Sequence, residues 1–268
     1  MIAQLLQTWR GLNRSRGAHD GMRVGGVEGV PPDRARLAFS PYGASLVSTI
    51  PPSPSGGRRG AGSVMIAMMD TSHDLTTVEA ELGCPVEQLL TPRTRFRPQR
   101  PEARFAIDNG AFSRFDPAEF ESLLRREYPR KSLCRFVAVP DVVGSARRTL
   151  EVFDHWYERI GQWPLALVAQ DGQEDLPIPW KLISAVFIGG STKWKLSTHA
   201  TDIIKAAKAM DKWVHVGRVN EPCRFENFEK QGADSFDGTG LARYTHMRER
   251  LYKAEHEPTL FTTARHPA

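Results

Sequence analysis

Six apolar stretches of this chain end in the same way, on a polar residue and then glycine or a turn. Asp108 closes "FAID" before Asn109-Gly110, and Asp141 follows "FVAVP". Gln170 follows "LALVA" before Asp171-Gly172, Gly189-Gly190-Ser191 follows "VFI", Gly217-Arg218-Val219-Asn220 follows "VHV", and Asp237 ends "DSFD" before Gly238-Thr239. Taken singly, each has a plain role. A lone Asp at a strand end commonly caps a helix or ties a loop, a lone Gln satisfies a buried polar group, and Gly-Gly makes a turn. Gathered at one place, they would supply carboxylates for proton transfer or attack and an amide for a polar edge. The glycines would let backbone approach a flat ligand closely. Their joint occurrence points to a site.

Only a parallel sheet brings such ends together. From Met65 onward, apolar runs alternate with amphipathic segments at a period of about 20–30 residues. The expected strands are "VMIAMMD", "RFAID", "CRFVAVPD", "PLALVAQ", "AVFIG", "KWVHVG" and "DSFD". Expected helices include "DLTTVEAELG" with an Asp cap and Gly stop, and "DPAEFESLLRREY" with Asp116 as N-cap and proline at the first helical position. "SARRTLEVFDHWYERIG" runs from Ser145 to Gly161, "ATDIIKAAKAM" and "CRFENFEKQGA" follow, and "LARYTHMRERLYKAEHE" closes the chain as one helix. "TPRTRFRPQRPEAR" reads as a Pro/Arg-rich connection. Strands apolar on both faces are the mark of a buried parallel sheet. Seven such strands over about 190 residues fit a (β/α)8 barrel of the TIM type better than an open doubly wound sheet. In a barrel the carboxyl ends of the strands converge on one mouth, where active sites are built. Alternation along "DSFD" puts residues 234 and 236 on one face and 235 and 237 on the other. Asp234 is thus expected at the solvent-facing start of the strand.

Composition sets the outer limits. At 268 residues and 40% hydrophobic content the chain can bury a real core. No stretch approaches the roughly 18 apolar residues of a membrane span, and no secretory signal is evident. Cys84, Cys134 and Cys223 are too scattered for a disulfide framework or a zinc cluster, so a cytoplasmic location is expected. The net charge of +5 comes entirely from residues 1–64, which hold eight Arg and three acids. The remainder is neutral, so bulk charge is no evidence for nucleic-acid binding. Residues 1–64 also hold 11 of the 22 glycines and show no helical or alternating period. They are expected to be a disordered or loosely attached extension. A basic nucleic-acid-binding arm and a true start at Met65 are the alternatives. Residues 65–255 form the expected barrel and 256–268 a tail. No Gly-x-Gly-x-x-Gly follows the first strand and no phosphate loop occurs, which leaves dinucleotide and P-loop chemistry unsupported.

In motif order, the chain from about Met65 to Ala254 resembles the tRNA-guanine transglycosylase superfamily. It is most similar to the compact, largely viral branch associated with 7-deazaguanine bases in DNA. The family's Asp-Ser-Gly-Gly-Phe-Gln turn resembles "DNGAF", which puts Asp108 in the general acid/base position. Its base-binding Asp is similar to Asp141 in "VAVPD", its Val-Gln-Gly-Gly segment to "VAQDG" with Gln170, and its Gly-Gly turn to Gly189-Gly190. Its nucleophile falls on Asp237 of "DSFD". The resemblance implies a (β/α)8 barrel that exchanges guanine in nucleic acid for a free 7-deazaguanine base through a covalent Asp-glycosyl intermediate, with no cofactor. Asn109, Gly189 and Gly190 would join Asp141 and Gln170 in holding the base, while Phe112 would either stack on it or serve as core. Arg218, Lys193, Lys195 and Arg243 lie at or beyond strand ends, either as phosphate contacts or as a solvated rim.

Several departures from the family pattern bear on the substrate. Asn109 replaces Ser, Ala111 the second Gly, and Asp171 a Gly of the third motif. The cysteine-rich zinc subdomain is missing, so no structural zinc is expected, and the basic loop after the nucleophile shrinks to "GTGLAR". Those parts would support tRNA docking, so DNA is the favoured polymer and tRNA the alternative. A homodimer is compatible with this reading. A non-catalytic nucleic-acid-binding barrel and a small-substrate lyase are the rival classes. The lyase would need a Schiff-base lysine or metal ligands within the mouth, and no Lys occupies a strand interior. His215, inside "WVHVG", reads as a core histidine, and Trp194 as either a pocket cover or helix packing.

Overall fold

The computed structural model describes residues 65–94, 100 and 102–256. The expected extension (1–64), part of the Pro/Arg-rich connection and the tail from 257 lie outside them. Among the described residues no helix is long and apolar enough to cross a membrane.

Eight parallel strands close into a barrel in chain order. They are β1 (Ile66–Met69), β2 (Val86–Leu90), β3 (Phe105–Ile107), β4 (Cys134–Ala138), β5 (Leu165–Ala169), β6 (Ala185–Ile188), β7 (Trp213–Val216) and β8 (Ser235–Asp237). Closure is made by β8 pairing with β1, Ala67 opposite Phe236. The (β/α)8 class expected from the strand rhythm is therefore present, with one strand more than the sequence revealed. That strand, β2, reads "VEQLL", and two polar residues interrupt its apolar run.

The surrounding helices are α1 (Leu75–Leu82), α2 (Pro117–Glu127), α3 (Ala146–Ile160), the short α4 (Thr192–Lys195), α5 (Thr198–Ala209), α6 (Pro222–Lys230), α7 (Thr239–Arg243) and α8 (Thr245–His256). Their starts follow from local chemistry. Asp74 accepts from the Thr77 N–H and Asp116 from the N–H groups of Ala118 and Glu119, each satisfying donors with no intrahelical partner. Gly83, at φ 71°, supplies the left-handed residue that ends α1. The closing segment, expected as one helix, is two, because Tyr244 takes an extended conformation between α7 and α8.

Strand alternation divides the core in two. Ile66, Met68, Leu89, Ala106, Phe136, Ala166, Val168, Ala185 and Phe187 fill the barrel. Their neighbours, such as Ala67, Ile107, Val137, Val186, Val216 and Phe236, face outward and pack under the helices. Phe236, for example, meets Phe225 of α6 edge-on at 5.2 Å. Near the amino-terminal end, Arg135 makes a two-pronged ion pair with Glu87, at 2.9 and 2.6 Å, and lies 4.6 Å over the Trp213 ring. Asp234 does precede β8, but it is buried rather than solvent-facing. Its carboxylate takes Lys208 Nζ at 2.7 and 2.8 Å and the Val214 N–H at 2.8 Å, so a paired charge fills a place the sequence left to water.

Candidate active site

The carboxyl ends of the strands open on one cavity of about 380 Å3, within the roughly 300–1,000 Å3 usual for small-ligand pockets. Asp108, Asp141 and Asp237 all line it, together with Gln170, Gly189 and Gly190. Because Phe236 is committed to the helix layer, its neighbours Ser235 and Asp237 must turn into the barrel. By the same rule Asp108 follows Ala106 inward, and Gln170 follows Val168.

Asp141 is the most elaborately held of the three. Its Oδ1 accepts from Asn109 Nδ2 at 2.8 Å and its Oδ2 from Gln170 Nε2 at 2.7 Å. Gln170 is fixed in turn by accepting the N–H groups of Gly144 and Gly190, at 2.9 and 3.1 Å. Asn109 also donates to the Val139 carbonyl and accepts from the Ala111 N–H. A carboxylate has room for about four hydrogen bonds, so each oxygen keeps an acceptor position, and the second Gln170 N–H remains as a donor. Glycine is needed at 189, where a Cβ would lie 2.9 Å from Gln170 Nε2 and 2.9 Å from Val168 Cγ1.

Asp237 is held at both oxygens. Oδ1 accepts the Arg218 N–H at 3.0 Å, and Oδ2 lies 3.1 Å from His215 Nε2. Arg218 aims that N–H from a left-handed backbone, φ 61°, an uncommon conformation for a side-chain-bearing residue. Its guanidinium donates to the Gly190 carbonyl and sits 4.4 Å over the Phe112 ring. Phe112 follows β3 and Arg218 follows β7, four strands apart in the closed barrel, so the pair spans the mouth.

Burial shifts the acids. Asp108 is pushed up to about 6 by desolvation, its bond from the Gly110 N–H pulls back, and the charge of Asp237 pushes it further up. Asp141 also rises to about 6, from burial first, against the Asn109 and Gln170 bonds and with the charge of Asp108. Two carboxyls whose pKa values are raised toward neutrality, on the same cavity as a third, are the equipment of acid–base chemistry.

No protein-family model matches the chain, and no curated protein sequence matches it. Its chemistry has to be read from the geometry.

The remaining candidates divide. Phe112 lines the cavity and is 66% exposed, so it is not core. Arg218 and Arg243 line the cavity too. Lys193 and Lys195 do not. Lys193 is exposed on α4 away from the lining, and Lys195 is only 3% exposed, its ammonium turned in to donate to the Gly217 carbonyl. Lys195 is thus no rim cation, and burial lowers its pKa to about 8, with Arg218 adding repulsion. Asn109 and the Gly190 N–H are engaged with Asp141 and Gln170, so they support those two side chains rather than present themselves. Asp171 turns to the Ser191 N–H and hydroxyl, tying the loops after β5 and β6. Trp194 is buried and donates to Glu174 at 2.7 Å, which makes it packing and not a cover.

Four contributors escaped the sequence reading. Asp70, at the end of β1, lines the cavity as a fourth carboxylate, bonded by Thr91 and Thr94 and raised by burial. It obeys the strand-end rule and could have been found by it. Arg93 and Arg114 line both the cavity and an adjoining depression with Asp116 and Glu119. His215 is fully buried, as a core residue should be, yet contacts Asp237.

Proposed function

We propose that this protein is a base-exchange transglycosylase that replaces guanine in nucleic acid, DNA by preference, with a free 7-deazaguanine base. One observation carries the reading: carboxylates from the ends of β3, β4 and β8 line one cavity, and each is held differently. Asp237, gripped at both oxygens, is the nucleophile. It attacks C1′ while the C1′–N9 bond to guanine breaks, and Asp108 gives the departing base its proton. The incoming base then loses its N9 proton to Asp108 and attacks C1′, and the electron pair of the C1′–O bond returns to Asp237. Two displacements preserve configuration at the sugar, as in retaining glycosidases with their paired acids.

Asp141 and Gln170 suit the edge of a guanine-like base. Asp141 accepts from the ring N–H and exocyclic amine, and the spare Gln170 N–H faces the polar remainder. An acid with a pKa near 6 can serve in both directions of proton transfer, which supports Asp108 in that role. The base must leave the stack to enter, and Arg93, Arg114, Arg218 and Arg243, which line the cavity, supply cations for a phosphate backbone.

Incubation with radiolabelled guanine or a 7-deazaguanine, and either duplex DNA or tRNA, tests this. Label entering one polymer, and none with Asp237→Asn, is the expected result and identifies the polymer. A folded protein that labels neither overturns the reading and favours the non-catalytic nucleic-acid-binding barrel.

A further inference from the structure

Behind Asp237 lies a file of polar groups, buried at His215 and Ser235 and half-buried at Trp213, that the two displacements do not use. Trp213 Nε1 is 2.8 Å from Ser235 Oγ, Ser235 Oγ is 2.9 Å from His215 Nδ1, and His215 Nε2 is 3.1 Å from Asp237 Oδ2. All of it lies within the barrel. His215 has no exposed surface and is wedged between the rings of Phe136 and Phe187, at 5.2 and 4.5 Å.

Donor counting gives the file a direction. An indole N–H only donates and a carboxylate only accepts. Ser235 therefore accepts from Trp213, and His215 carries a hydrogen on Nε2 for Asp237. With the imidazole neutral, the single Ser235 hydrogen then has His215 Nδ1 as its partner, and every hydrogen in the file is used. The chain runs Trp213 to Ser235 to His215 to Asp237, each bond polarising the next.

We propose that His215 is a positioning residue of the proposed base exchange, holding the Asp237 carboxylate for attack and stabilising it when it leaves C1′. The inference rests on Asp237 being the nucleophile. Esterification of Asp237 removes the charge that the Nε2–H bond favours. Departure from C1′ restores that charge, so the bond favours resolution of the glycosyl-enzyme. Its loss therefore slows the second displacement more than the first.

Two amides separate position from bulk. Gln at 215 places its nitrogen where histidine has Nε2, whereas Asn places it where histidine has Nδ1. In single-turnover assays on the full chain, His215→Asn should slow adduct resolution tenfold or more (about 1.4 kcal/mol), accumulate the adduct and leave polymer affinity unchanged. His215→Gln should restore most of the rate. Ser235→Ala, a smaller change, covers the case in which the histidine variants fail to fold, and should slow resolution in the same sense. Equal loss in folded His215→Asn and His215→Gln would reduce His215 to core filling. Nitrogen-15 NMR of histidine-labelled wild-type protein gives a second readout that needs no substrate. The Nε2–H tautomer is expected at His215, and the Nδ1–H tautomer overturns the relay. A wild-type protein that forms no adduct but shows the Nε2–H tautomer overturns the base-exchange reading and leaves the relay standing.

Discussion

Gln170 donates to Asp141 at 2.7 Å while its own oxygen accepts the Gly144 and Gly190 N–H groups, so one side chain joins the ends of β4, β5 and β6. A Cβ at Gly189 would strike this amide at 2.9 Å. Gly189→Ala is therefore expected to push Gln170 off Asp141 and weaken base binding about tenfold or more, as expected when a buried charged hydrogen bond worth about 1.5–3 kcal/mol is broken. Equilibrium binding of free 7-deazaguanine to the variant checks this; unchanged affinity would show that Gln170 does not hold the base.

The acids make the rate depend on pH from both sides. In the proposed exchange Asp108 must carry a proton to release guanine, so adduct formation should fall as pH rises past about 6. Asp141 must be a carboxylate to accept from the base, so binding should fall as pH drops through about 6. The single-turnover profile is then a narrow bell whose two limbs belong to the coupled pair. In Asp108→Asn the alkaline limb should disappear along with most of the rate. A flat wild-type profile from pH 5 to 8 would contradict both assignments.

Asp108 also bears on stability. Its folded-state pKa of about 6 lies above the ordinary 3.8, so the folded protein holds the proton more tightly. The cost of the buried charge is fully present above about pH 6 and gone below about pH 4. Asp108→Asn keeps an acceptor for the Gly110 N–H and should be more stable than the parent at pH 8, by on the order of 1–2 kcal/mol after discounting for partial exposure. The gain should vanish at pH 4. Urea unfolding at the two pH values reads the difference, and a variant less stable at pH 8 would refute the burial argument.

Cations at the mouth and the buried lysine should part company in salt. Arg114→Ala or Arg93→Ala is expected to reduce the slope of log affinity against log salt by about one for a nucleic-acid ligand. Lys195→Ala should leave that slope unchanged, because its ammonium faces the Gly217 carbonyl and not the rim. An equal fall in slope for Lys195→Ala would return it to the phosphate surface.

Seven strands were legible because a parallel strand buried on both faces is an apolar run. The eighth was hidden by Glu87, which shares the inward face of Leu89 and pairs with Arg135, 48 positions away. Nothing local announces such a partner. Asp108, Asp141 and Asp237 were legible for the opposite reason: an acid closing an apolar strand stands out, and a barrel sends all such ends to one mouth. Lys195 misled because α4, a four-residue helix, leaves no period from which to tell an inward from an outward face. His215 looked like core and is core. That its ring reaches Asp237 follows from the pairing of β7 with β8, His215 opposite Ser235, which only the closed sheet supplies.

In the proposed base exchange Asp237 becomes bonded to the sugar. Protein held with guanine-containing DNA, and separately tRNA, and then quenched in acid should yield a covalent adduct, with one guanine released per adduct. Peptide mapping by mass spectrometry should put that adduct on Asp237, and Asp237→Asn should form none. An adduct on another residue, or base exchange that proceeds undiminished in Asp237→Asn, would contradict the account.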